Sequence, residues 1–98
     1  MQIVGAANRP AGRVGIICGS GGDLLADVQR AGCDTLVTGE IKLHQATEAL
    51  AAGLAVIAVG HHASERFSMA VLAERLAAAI PGLSSWASRA EADPIGWL

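Results

Sequence analysis

The chain has 98 residues, of which 52% are hydrophobic and 16% charged, and this balance predicts one globular domain over residues 1–98. A net charge of −2, with no cluster of lysine and arginine, argues against a nucleic-acid partner. No apolar run approaches the roughly 20 residues of a membrane span and the N-terminus lacks a signal-peptide pattern, so we expect a cytoplasmic protein with free thiols at Cys18 and Cys33.

The first part of the chain alternates between strand and helix patterns. Residues 13–18 predict a buried strand that ends in a glycine turn. Residues 23–31 have helical spacing, with Asp23 as the expected N-cap and Gly32 following the last turn. Residues 35–37 predict a second, shorter strand.

The second part repeats the alternation. Residues 43–50 predict a helix that ends at Gly53, and the apolar residues 54–59 predict a buried parallel strand. A long helix follows, with Ser64 as the expected N-cap, and residues 83–87 predict a fourth strand. The apolar stripe of the long helix consists of Met69, Leu72, Ala73, Leu76 and Ile80. The alternation predicts a three-layer α/β fold, with a mostly parallel sheet and helices on both faces.

Glycine and polar residues follow each predicted strand. They are Gly19–Gly22, then residues 38–40, then residues 60–62. Because the carboxyl ends of parallel strands share one edge of a sheet, and ligands bind at that edge, we expect these three segments to meet at one site.

The stretch CGSGGD, residues 18–23, has two interpretations. Glycine amides before a helix can hold a phosphate, but the spacing matches neither the Walker A sequence nor the dinucleotide fingerprint. A tight turn is favoured, because the carboxylate of Asp23 would repel an anion. Cys18, at a strand end, is expected to be a small buried apolar residue.

The stretch TGEIKLH, residues 38–44, places Glu40 and His44 four positions apart. If the helix has begun at Glu40, the two side chains share one helical face and can form a pair. Taken alone, the stretch is more typical of a solvated first turn than of a site.

The stretch GHHASERF, residues 60–67, carries the strongest signal. His61 leaves a strand and Glu65 enters the next helix, and an imidazole and a carboxylate this close suit a divalent cation. The alternative is that Glu65 complements the helix dipole while His61 and His62 are exposed. Spacing alone does not favour either interpretation.

Taken together, these motifs resemble the C-terminal part of the Nif3-like family, also named GTP cyclohydrolase 1 type 2 homologues. The similarity runs from about Val4 to Asp93-Pro94, with the T-G-[DE]…H and G-H-x-x-[ST]-E-R pieces in family order. The resemblance implies two-lobed α/β proteins that form toroidal hexamers, with a dinuclear metal site between the lobes.

The same resemblance implies roles for particular residues. It makes His61 and Glu65 metal ligands, whereas His62 is not carried over as a ligand. It assigns the other ligands, a histidine pair and an aspartate, to an N-terminal lobe that these residues do not contain. We therefore expect only the C-terminal lobe here, with the missing ligands supplied by a separate N-terminal lobe.

Three functions follow as hypotheses. The first is the metal-binding lobe of a metal-dependent hydrolase that uses zinc, iron, manganese or magnesium, with Glu40 and His44 either supporting the metal ligands or contacting substrate. The second is a non-catalytic oligomeric scaffold that has lost half of the metal site. The third is a small nucleotide-binding module built on Gly19–Gly22. We also expect a homo-oligomer, because an isolated lobe with the apolar tail Ile95, Trp97 and Leu98 should expose apolar surface.

Overall fold

The computed structural model of the chain describes residues 1–96 and contains one four-stranded sheet. Its strands are β1 (Gln2–Val4), β2 (Val14–Ile17), β3 (Thr35–Thr38) and β4 (Ala55–Ala58). The order across the sheet is β1-β4-β3-β2, with β2, β3 and β4 parallel and β1 antiparallel to β4. The mixed α/β fold with a mostly parallel sheet is thus confirmed, and β1 is a strand that the sequence patterns did not reveal.

Three helices connect and follow the parallel strands. A 3₁₀ turn at Gly21–Leu24 leads into α1 (Leu25–Arg30), and α2 (Leu43–Ala51) joins β3 to β4. The last helix, α3 (His61–Ala79), begins directly after β4. None of the helices within residues 1–96 combines the length and the apolar character that crossing a bilayer requires.

The core lies between the sheet and the first two helices. Val4, Val56 and Leu36 stand side by side on three neighbouring strands and point to the same face. The core cluster also contains Leu25, Val28, Ala49 and Leu54. Leu36 and Val56 are fully buried, and burial of each such side chain stabilises the fold by about 1.5–3 kcal/mol.

A second row of aliphatic side chains crosses the opposite face of the sheet. Ile3, Ile57, Val37 and Ile16 are paired in register across all four strands. We call these four residues the outer row. Ile16 is 74% exposed, and of the helices it is α3 that reaches this face, through Phe67, beside a cavity of about 160 Å³. Within the described residues, therefore, helical packing covers the outer face of the sheet only in part.

The start of α3 and the segment after it differ from the sequence prediction. Ser64 is not the N-cap, because Gly60 has a φ of +106° and already accepts the Ser64 amide, which makes Ser64 part of the first turn. Residues 83–87 do not join the sheet. They run back beside α3, where Trp86 lines a cavity with Leu72 and the Arg66 guanidinium donates to the Ser88 carbonyl.

Of the apolar stripe of α3, only Ala73 is buried. One prediction about burial is also wrong. Cys18 is exposed, since it lies in the turn after β2, and both it and Cys33 are free thiols. Trp97 and Leu98, part of the predicted apolar tail, lie outside the described residues.

Candidate metal centre

The turns that follow β2, β3 and β4 are joined by backbone hydrogen bonds. The Gly39 amide donates to the Gly19 carbonyl at 3.0 Å, and the Gly60 amide donates to the Gly39 carbonyl at 2.8 Å. Parallel pairing in register brings the three strand ends together in this way. The predicted meeting of these segments at one edge of the sheet is confirmed.

At this edge, His61 stands between two carboxylates. Its Nδ1 atom lies 3.2 Å from Oε1 of Glu40, and its Nε2 atom lies 3.3 Å from Oε1 of Glu65. Glu65 reaches the ring because α3 begins at His61, which places residues four apart on one helical face. Glu40 reaches it from the turn after β3, so two separate strand ends contribute to the cluster.

The two carboxylates favour the charged imidazolium form of His61. The pKa of His61 is raised, chiefly by the hydrogen bond with Glu40. Desolvation, the next largest effect, opposes the rise, and the negative charges of Glu65 and Glu40 add to it. The His61 side chain is 45% exposed, so solvent screens these interactions in part.

Gly19 leaves space beside the His61–Glu65 pair. Its φ of +66° lies in the left-handed region that favours glycine. A Cβ atom at this position would lie 2.5 Å from Oε1 of Glu65 and 3.2 Å from Nε2 of His61. Any side chain here would therefore occupy the space that faces both atoms.

The spacing of this pair fits two ligands of one metal ion. Ligand atoms that each lie about 2.1 Å from a shared ion stand about 3.0–3.5 Å apart, depending on the angle between them. The 3.3 Å between Nε2 of His61 and Oε1 of Glu65 falls in that range. Within residues 1–96, no group of three or more His, Cys, Asp or Glu side chains is arranged to hold a metal ion, so the described chain offers a pair rather than a full set.

Glu40 lies where a histidine ligand usually has its outer partner. Metal-binding histidines commonly donate their second ring N–H to a carboxylate, which fixes the tautomer and the orientation of the ring. With Glu40 on Nδ1, the Nε2 atom is the one that faces Glu65. The arrangement thus suits metal ligation through Nε2.

The glycine turn is poorly suited to binding a phosphate. The Gly19 amide donates to Oγ of Ser64 at 2.9 Å, and the Gly21 amide donates to Oγ1 of Thr38 at 2.9 Å. Two of the amides that would hold a phosphate are therefore already used within the protein. The carboxylates of Glu40 and Glu65 beside the turn would add repulsion.

Two sequence expectations about this region are corrected. Glu40 and His44 do not share a helical face, because α2 begins at Leu43 and Glu40 lies in the preceding turn. His44 is exposed on the first turn of α2. Asp23 does not cap α1; its carboxylate instead accepts from the Gln45 side-chain amide at 2.8 Å.

Two buried hydroxyl groups that hold Gly19 were not predicted from the sequence. The sequence predicts Ser64 as a helix cap and places Thr38 in the segment after the second strand, whereas both side chains contact the turn after β2. A polar residue within otherwise apolar strand and helix patterns was the available signal, since buried hydroxyls need hydrogen-bond partners.

Comparison with known proteins gives consistent results. A family model described as Duf34/NIF3 (NGG1p interacting factor 3) matches residues 1–94. The GTP cyclohydrolase 1 type 2 homolog of Campylobacter jejuni is 42% identical over 64 residues, which cover 65% of this chain and 25% of that protein. The protein of the same name from Halobacterium salinarum is 44% identical over 52 residues, or 53% of this chain and 21% of that protein.

Two solved structures share the fold over 99% of this chain. Staphylococcus aureus hypothetical protein SA1388 superposes with a TM-score of 0.81 and 27% identity, and 33% of its chain is covered. A Bacillus cereus protein related to NIF3 superposes with a TM-score of 0.79 and 24% identity, with 28% of its chain covered, and supports the fold alone. The chain spans about a quarter of the length of the curated relatives it matches. Because the family model extends over residues 1–94, the chain belongs to the Duf34/NIF3 family.

Proposed function

We propose that this chain is the metal-binding lobe of a metal-dependent hydrolase related to the GTP cyclohydrolase 1 type 2 homologues, with His61 and Glu65 as metal ligands. The observation that carries this proposal is the 3.3 Å approach of Nε2 of His61 to Oε1 of Glu65, in the space that Gly19 leaves open. The names of the curated relatives support the reaction class.

Each polar residue of the site has a distinct part in this proposal. Glu40 holds the proton on Nδ1 of His61, which keeps the Nε2 lone pair directed toward Glu65. A divalent ion bound by His61 and Glu65 would activate water for hydrolysis. Mixed nitrogen and oxygen ligation accommodates zinc, iron, manganese or magnesium. We propose His44, which is exposed on the first turn of α2, as a substrate contact.

Two ligands are too few for a tight site, since metal centres usually take three or more protein ligands. We propose that a separate N-terminal lobe supplies the remaining ligands, because this chain covers only about a quarter of the length of its curated relative. The free thiols of Cys18 and Cys33 suit a reducing compartment, and we place the chain in the cytoplasm.

The test is the metal content and metal affinity of the purified chain, measured by elemental mass spectrometry and by competition with a chelator. We expect His61→Ala and Glu65→Gln to weaken Zn²⁺ or Mn²⁺ binding by about tenfold or more. His44→Ala and Glu48→Gln are matched controls, because they have the same spacing on α2, and they should bind as the unchanged chain does. Equal metal retention by all four variants would refute the ligand assignment.

Association of the chain is a second, independent proposal, and it is the basis of the scaffold hypothesis. The outer row consists of four uncharged aliphatic side chains, and Ile16 within it is 74% exposed. An uncharged row can face an identical row without like-charge repulsion, so we propose a second copy of this chain as its occupant.

Sedimentation at several concentrations tests this association. Ile16→Lys should shift the chain toward monomer, whereas Leu43→Lys, at an 85% exposed position on α2, should not. A monomeric unchanged chain at all micromolar concentrations would contradict association through this face. If that same chain also failed to bind metal, the scaffold hypothesis would fail together with the hydrolase hypothesis.

A further inference from the structure

Two buried hydroxyl groups hold the two backbone polar groups of Gly19, its amide and its carbonyl. On one side, the Gly19 amide donates to Oγ of Ser64 at 2.9 Å. On the other, the Gly19 carbonyl accepts from Oγ1 of Thr38 at 3.1 Å and from the Gly39 and Glu40 amides at 3.0 Å each. Ser64 is 8% exposed and Thr38 is 1% exposed, so water does not replace these bonds readily.

Ser64 also connects this turn to the backbone of the candidate ligand. Its hydroxyl donates to the His61 carbonyl at 2.8 Å while it accepts the Gly19 amide. One side chain therefore joins the turn after β2 to the first turn of α3. Gly39 makes room for it, since a Cβ at position 39 would lie 2.6 Å from Oγ of Ser64.

The Ser64 link controls how closely Gly19 approaches the side chains of His61 and Glu65. One hydrogen on the α-carbon of Gly19 faces Oε1 of Glu65 and Nε2 of His61. It occupies the position that a Cβ would take in any other residue. A displacement of the turn by a few tenths of an ångström would open or close the space beside both atoms. Glycine has no side chain to hold that position, so the turn depends on its backbone hydrogen bonds.

We propose that Ser64 is a positioning residue, which fixes the Gly19 turn against the His61–Glu65 pair and thereby sets the affinity of that pair for a divalent metal. This inference rests on the proposed function. It adds a residue that touches no metal and acts through the backbone of Gly19 and His61.

The experiment compares Ser64→Ala with Ser68→Ala. Ser68 is a matched control on the same helix, because its hydroxyl donates to the Glu65 carbonyl at 2.5 Å, as Ser64 does to the carbonyl three residues before it. Affinity for Zn²⁺ is measured by competition with a chelator. Exchange of the Gly19 amide hydrogen is measured by NMR on the metal-free chain, with the Gly21 amide, which bonds to Thr38, as internal reference.

We expect Ser64→Ala to weaken Zn²⁺ binding by about tenfold and to speed Gly19 exchange by a similar factor, with Gly21 exchange unchanged. Ser68→Ala should change neither by more than about twofold, and Ser64→Thr, which keeps the hydroxyl, should recover most of the affinity. Thermal unfolding of the metal-free variants separates this effect from a general loss of stability.

The inference is overturned if Ser64→Ala binds Zn²⁺ as tightly as the unchanged chain while Glu65→Gln does not. It is also overturned if the two serine variants lose affinity equally. If the unchanged chain binds no metal, the proposed function fails, and unaltered Gly19 exchange in Ser64→Ala would then refute the positioning role as well.

Discussion

Oε1 of Glu40 lies 3.2 Å from Nδ1 of His61, although Glu40 lies in the turn after β3 and His61 begins the helix that follows β4. The contact exists because β3 and β4 are parallel neighbours in register, which places the residues after them side by side. It is the strongest influence on the protonation of His61. This ion pair gives the first prediction.

In the metal-free chain, the pKa of His61 should lie above its usual value of 6.5, and Glu40→Ala should lower it more than Glu65→Ala does. The reason is that the Glu40 hydrogen bond is the largest cause of the shift. NMR titration of the histidine ring protons measures it, with Glu48→Ala as control. A larger effect of Glu65→Ala would contradict the order of the two carboxylates.

The same shift has a defined sign for stability. Because the folded pKa of His61 is raised, its stabilising effect is fully present below the unfolded value near 6.5 and is lost as pH rises through the folded value. The effect should be small, since the ring is largely solvated. Glu40→Ala should flatten the pH dependence of the free energy of unfolding over that interval.

Gly19→Ala should separate stability from metal binding. Its backbone cost is about 1–2 kcal/mol, as for any alanine placed in the left-handed region. The atom its Cβ meets at 2.5 Å is the end of the flexible Glu65 side chain, which can swing away from His61. Stability should therefore fall modestly, whereas metal affinity should fall strongly.

Gly53→Ala is the matched control for this variant. Gly53 has a φ of +72° and nothing within 4 Å of the position its Cβ would take. Urea unfolding should give similar losses for the two variants, and only Gly19→Ala should bind metal poorly. Equal metal affinity in both would argue that the space beside Gly19 is not used.

Leu36→Ala should cost about 2–5 kcal/mol in the free energy of unfolding, because it opens a cavity between the sheet and the two packed helices. Leu36 is fully buried, whereas Leu43 is 85% exposed. Leu43→Ala should change stability by less than about 0.5 kcal/mol. Denaturant unfolding of the two variants checks the location of the core.

Asp23 and Gln45 should be energetically coupled. Gln45 is 6% exposed, and it donates to Asp23 at 2.8 Å while accepting the Lys42 amide at 3.0 Å. A double-mutant cycle to alanine should give a coupling of about 0.5–3 kcal/mol. The exposed pair Asp27 and Arg30 on α1 is the reference, with an expected coupling of about 0.3–0.5 kcal/mol. Equal couplings would show that burial adds nothing to the first pair.

The parallel part of the fold could be predicted because its periodicity is strong. Residues 54–59 form an apolar run between two glycines, and residues 13–18 are mostly apolar after Arg13 and are also bounded by glycine. β4 and β2 lie within these two segments. β1 could not be recognised, since three residues at an antiparallel edge carry almost no pattern. The apolar side chains of residues 83–87 pack beside α3, and this segment does not pair as a strand.

The site was predictable in its location and less so in its contacts. Strand alternation places Glu40 and His61 at one edge of the sheet, and the structure places them in contact there. The pairing of Glu40 with His61 rather than His44 depends on where α2 begins, which spacing alone does not fix. The Ser64 hydroxyl accepts a hydrogen bond from the Gly19 amide, which is distant in the sequence. The residues around Ser64 do not indicate that Gly19 is its partner.

The antiparallel position of β1 affects the order in which the sheet forms and opens. Ile3 pairs with Ile57, far along the chain, whereas each parallel pairing joins strands separated by a single helical connection. Closing the longer loop costs more chain entropy, and β1 adds only three residues of ladder to offset it. The three parallel strands should therefore assemble first and β1 should detach first. Once β1 is released, the edge of β4 offers unpaired backbone groups to which a strand from another molecule can add.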